Sequence, residues 1–77
     1  MKSFNNDYIK QRRIELELTL QEMADSMGFK NASTYMKYEN GTYAFKAEHL
    51  PLLSKTLKCK IVDFFNNEIA KIEIISI

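Results

Sequence analysis

His49 and Cys59 are the single imidazole and the single thiol among the 77 residues. Such groups could activate a nucleophile or, with partners, hold a metal. One of each falls short of the Cys/His set that a zinc site of the usual kind requires. A lone cysteine also closes no intramolecular disulfide. The ten Asp and Glu residues form no convincing acid/base pair, and no second motif supplies a nucleophile, a metal ligand or a phosphate-cradling loop. The expectation is a protein that is not an enzyme and carries no cofactor and no metal. His49 reads as a surface or half-buried imidazole, and Cys59 as a small apolar packing residue.

Charge says little about a partner. Eleven Lys and Arg against ten Asp and Glu give a net charge of +1. Only the distribution is informative. Residues 42–60 carry four bases and one acid, and residues 61–77 one base and three acids. A nucleic-acid binder usually shows a clearer basic stripe, so any such function must rest on motif. Length and composition fit one small globular domain, near the lower limit for a stable core, which leaves little room for a large catalytic cleft. No apolar run approaches membrane-spanning length, and MKSFNNDYIKQRR has no apolar signal core. The chain is expected to be cytoplasmic and reduced, with no membrane partner and no evident small-molecule ligand.

Few glycines and one proline leave helices as the favoured elements. The first helix is predicted from about Asp7 to Leu16, capped by Asn6 or Asp7. Thr19 opens the second, and Glu22 three residues later completes a capping box. Leu20, Met23, Ala24 and Met27 make its apolar stripe, and Gly28 supplies the residue that accepts positive φ. The third helix is predicted from an Asn31 cap to Asn40, with Tyr35 and Tyr38 on one inner face. A fourth covers roughly Ala47 to Leu57, with Leu50, Leu53 and Leu57 inward and Pro51 in its first turn. A short fifth, about Ile61 to Phe65, is expected to give Val62, Phe64 and Phe65 to the core. The isoleucine-rich end, Ile69 to Ile77, partly alternates and suits a strand.

From Leu20 to Asn40 the pattern has a functional geometry. Ala24 lets two helices cross closely, Gly28 makes the turn, and Tyr35 and Tyr38 lock the second helix onto the first. That is a helix-turn-helix, which leaves one face of its second helix free for the DNA major groove.

With RRIELELTLQEMADSMGF followed by STYMKYENG, the sequence resembles the lambda-repressor-like (Cro/cI-type, XRE) helix-turn-helix family. HLPLLSKTLKCKIVDFF extends the resemblance, so that it covers about residues 8–65. It implies a mainly α-helical, five-helix DNA-binding domain over residues 1–66, followed by an extended segment at 67–77. It also implies residue roles. Arg13 would pair with Glu39 of the ENG motif, clamp the first helix to the third and help orient a phosphate contact. Ala32, Ser33, Thr34, Met36 and Lys37 would face base edges. Lys37 is the best single candidate, because a lysine donates to guanine O6 and N7. Asn31, Asn40, Tyr43 and Lys46 would contact phosphates.

The chain departs from the family pattern in four places. The motif runs one residue long at Lys30 or Asn31. Leu20 replaces a frequent phosphate-contacting glutamine, Glu17 a common glycine, and Thr42 a common basic residue. These departures imply modest affinity or a need for dimerisation. For the C-terminal isoleucines two arrangements stay open. The segment could fold back over Phe64 or Phe65, or Ile72, Ile74, Ile75 and Ile77 could pair with a second copy as an antiparallel ribbon. The expected function is a phage-type or bacterial transcriptional repressor, acting as a homodimer on double-stranded DNA in the cytoplasm, associated with the nucleoid. The alternative is an antitoxin-like or antirepressor-like module that keeps the fold and binds a protein.

Overall fold

The computed structural model describes residues 4–65. Its elements are α1 (Asn6–Glu15), α2 (Leu20–Met27), α3 (Ala32–Glu39), a 3₁₀ turn (Ala47–His49), α4 (Leu50–Leu57) and a second 3₁₀ turn (Ile61–Phe64). Among the described residues there is no strand, only one antiparallel bridge joining Phe4 to Phe65. The four isoleucines of the expected dimerisation strand, Ile72 to Ile77, lie outside the described residues.

The first three α-helices begin where a short polar side chain takes an orphan amide, whereas α4 has no side-chain cap and starts with Pro51 in its first turn. Asn5, one residue ahead of the expected cap, accepts the Tyr8 N–H at 3.1 Å. Thr19 and Glu22 close the expected box reciprocally. The Thr19 hydroxyl accepts the Glu22 amide at 3.0 Å, and the Glu22 carboxylate accepts the Thr19 amide at 2.8 Å. Asn31 caps α3. The helix α2 ends at Gly28, whose φ of 80° is the left-handed conformation that glycine adopts without strain. The turn after α1 makes a similar demand at Glu17, with φ 57°.

Two helical expectations are corrected. The fourth helix is α-helical only from Leu50, and Ala47–His49 is a 3₁₀ turn. Pro51 has no N–H for the Ala47 carbonyl, so the α-helical pattern cannot extend back that far. The backbone closes by an i→i−3 bond from His49 to Lys46 at 2.9 Å instead. The fifth helix is a single 3₁₀ turn, so the described residues hold four α-helices rather than five. Left-handed Lys58 precedes this segment and extended Phe65 ends it. Four residues cannot sustain a separate α-helix against its nucleation cost.

Ile9, Met23, Ala24, Met27, Tyr35, Leu53, Leu57 and Phe64 form the buried core. Val62 does not join it: the side chain is 55% exposed. In so tight a turn only Phe64 points inward, with Phe65 packed at the core's margin. Leu50 likewise sits at the margin, while Leu53 and Leu57 are fully buried. Cys59 is half-buried against the core.

Candidate nucleic-acid interface

The helices α2 and α3 pack mainly on one another. Tyr35 is fully buried and Tyr38 half-buried, so both turn toward the interior. The opposite face of α3 carries Ser33, Met36, Lys37 and Asn40, all exposed. These positions, at helical steps of three and four, form one stripe. Ala32 and Thr34 are half-buried and lie beside this stripe rather than on it.

The hydrogen bonds divide the expected site residues further. The Asn31 carboxamide oxygen accepts three donors: the Thr34 amide at 2.9 Å, the Thr34 hydroxyl at 3.0 Å and the Ser33 hydroxyl at 2.8 Å. Both hydroxyls therefore serve the cap in this conformation. Asn40 performs the same service for the next turn, accepting from the Thr42 amide at 2.9 Å and its hydroxyl at 2.7 Å. Lys37 and Met36 carry no such engagement through hydrogen bonds. The Lys37 ammonium lies 5.6 Å from the centroid of the Tyr43 ring. Lys46 is exposed just ahead of the 3₁₀ turn, where its amide donates to His49 Nδ1 at 3.0 Å.

Behind the stripe, Arg13 Nε and Nη2 meet the two Glu39 oxygens at 2.8 and 3.2 Å, a bidentate pair. The two side chains are 14% and 7% exposed. Arg13 also donates to the Leu18 carbonyl at 3.0 Å, so one guanidinium joins α1, the turn after it and α3. The Tyr35 hydroxyl is buried beside this pair without making a hydrogen bond. Burial, and then the Glu39 carboxylate, hold its phenol well above the ordinary range. A shallow groove of about 330 Å³ separates α1 from α3, lined by Lys10, Arg13, Met36 and Asn40 among others. Met36 thus faces α1 as well as solvent.

Two features of the site region were not expected from the sequence, and a third, the burial of His49, departs from its expectation. Lys10 shares the groove with Arg13, and its spacing one turn before Arg13 was the available signal. Arg12 donates to the Leu57 and Lys58 carbonyls at 2.9 and 3.1 Å, and nothing in the sequence marks a carbonyl as a partner. His49 is buried rather than half-exposed, edge-on to Phe29, Tyr38 and Phe45. Near the other end of α4, burial pushes the Cys59 thiol up, so it stays in the less nucleophilic protonated form.

A family model described as helix-turn-helix matches residues 9–64. The chain belongs to the lambda-repressor-like (XRE) helix-turn-helix family. No curated protein and no solved structure matches it. The helix-turn-helix itself is α2, the turn at Gly28 and α3, and the exposed stripe lies on its second helix. Membership makes the chain a DNA-binding protein of the transcription-regulator class, with double-stranded DNA as its partner. No helix among the described residues is long and apolar enough to cross a membrane.

Proposed function

We propose that this helix-turn-helix protein is a sequence-specific repressor of phage or bacterial type, binding a pseudo-palindromic operator as a homodimer in the cytoplasm. The observation that carries this reading is the exposed stripe of α3, held rigidly to α1 by the Arg13–Glu39 pair. Lys37 and Met36 are the principal base readers: the lysine donates to guanine, and the methionine contacts a thymine methyl. Ser33 reads a base only by exchanging its bond to Asn31. Ala32 and Thr34, half-buried, border the contact. Asn31, Asn40, Tyr43 and Lys46 meet phosphates, and Arg13 orients one. Two copies, paired through Ile72, Ile74, Ile75 and Ile77, place their recognition helices about 34 Å apart in successive major grooves. Bound there, the dimer blocks polymerase.

A protein-binding role is the second reading, and one observation favours it. The capping box puts the Glu22 carboxylate over the first turn of α2, and Leu20 beside it packs against the core. An acidic group at that helix start competes with a phosphate for the same orphan amides. Selection of bound sites from random duplex DNA at two salt concentrations separates the two readings. A pseudo-palindrome with affinity falling steeply as salt rises is expected for the repressor. No enrichment at either salt would leave the protein-binding module.

A further inference from the structure

We infer that Tyr43 is a positioning residue for base recognition: its ring holds the Lys37 ammonium at the C-terminal end of α3, ready to read one base pair. This rests on the reading of Lys37 as a base-contacting residue and adds what directs it.

Two contacts link the same pair of residues. The Lys37 ammonium lies 5.6 Å from the Tyr43 ring centroid, within the range in which a cation is drawn to an aromatic face. The Tyr43 amide donates to the Lys37 carbonyl at 3.0 Å, which fixes the ring's backbone relative to the helix that carries the lysine. The ring is also supported from behind. It meets Tyr38 edge-on, with centroids 5.4 Å apart at 71°. Tyr38 in turn stacks on Phe29 at 4.7 Å and 12°, and takes buried His49 edge-on at 5.4 Å. A continuous aromatic column thus runs from the interior to Tyr43, which itself remains 45% exposed.

A lysine stem has several rotatable bonds, and fixing it on a base costs conformational entropy. A ring that already restrains the ammonium reduces that cost for bases within reach of the C-terminal end of α3, and not for others. Tyr43 therefore contributes to preference between bases, whereas a phosphate contact alone would strengthen binding to every sequence alike.

The test uses the full chain and a duplex recovered by selection, with its single-base variants. Tyr43→Leu is expected to lower the preference at the Lys37 base pair about three- to fivefold, the size of an exposed cation–π contact. Tyr43→Phe should retain it, and Tyr43→Leu in a Lys37→Ala background should change it no further. Uniform weakening on all duplexes by Tyr43→Leu, or a Phe variant as poor as the Leu variant, overturns the inference. The residue would then act through packing or through its hydroxyl. Should Lys37→Ala leave every base preference intact, base reading by Lys37 fails and the inference with it. A loss with Lys37→Ala but none with Tyr43→Leu removes the inference alone. In the free protein, the Lys37 ε-methylene protons are expected upfield of their ordinary shift and should return to it in Tyr43→Leu. Identical shifts in the two proteins would overturn the inference without reference to any operator.

Discussion

Arg12 and Arg13 are neighbours on α1, yet they tie that helix to different partners by different chemistry. Arg13 meets a carboxylate, Glu39 of α3, through two parallel hydrogen bonds. Arg12 meets the carbonyls of Leu57 and Lys58, where α4 ends, and pairs with a carboxylate only within its own helix, Glu15 at 3.3 Å. The first junction is a buried pair of opposite charges. The second is a cation placed on the negative end of a helix dipole, satisfying acceptors that no further turn of helix would reach. Both junctions fix α1, but only the first supports the recognition helix. The comparison teaches that adjacent, chemically identical residues can differ in energetic weight according to what they leave behind when removed.

The largest expected effect is at Arg13. Arg13→Ala leaves the Glu39 carboxylate buried without its counter-ion and should cost about 3 kcal/mol of unfolding free energy, read from urea titration. Replacing both partners, Arg13→Met with Glu39→Leu, should recover most of that loss, because no buried charge remains. A double variant as unstable as the single one would show that geometry, not charge burial, dominates the junction. Arg12→Ala should cost less, about 1.5 kcal/mol, since it leaves behind neutral carbonyls rather than a buried charge. Equal losses at the two arginines would erase the distinction drawn between them. The smallest effect concerns the turn that follows both. Glu17→Gly removes a side chain from a left-handed conformation and should raise stability by about 1 kcal/mol. A thermal melt lower than the parent's would mean that the Glu17 side chain contributes more than its backbone strain takes away.

The same contrast explains what the sequence disclosed. A motif that needs two particular side chains leaves a mark at both ends. Thr19 and Glu22, each side chain accepting the other's amide, could be read from their spacing, and Arg13 with the ENG glutamate from the family resemblance; the structure joins both. Backbone conformation leaves a mark when glycine supplies it, as at Gly28. Glu17 and Lys58 adopt positive φ without glycine, and of the two only Glu17 was marked, by standing where the family commonly has glycine. Arg12 was silent because its acceptors are carbonyls, which every residue has. Hydrophobicity alone misplaced Val62, since a tight 3₁₀ turn can bury only one side of four apolar-rich residues. His49 reads as a surface or half-buried imidazole by its type, and the structure buries it. Its three aromatic neighbours come from different segments and meet only in the fold. At the recognition face, the resemblance pointed to Ser33, Met36 and Lys37, which are exposed, and also to Ala32 and Thr34, which are half-buried; it could not disclose that Ser33 and Thr34 turn their hydroxyls back to Asn31.

The seam between Phe4 and Phe65 also bears on how the domain comes apart. There the Asn5 amide donates to the Phe64 carbonyl at 2.6 Å. Closing it brings together the two extremes of the described chain, the longest loop in the fold and so the one with the greatest closure entropy. The contacts between α2 and α3 close far shorter loops and are expected to outlast it. The seam is therefore the domain's latch: in hydrogen exchange the Asn5 amide should lose protection before the amides of α3, with the helix-turn-helix intact after the latch has opened.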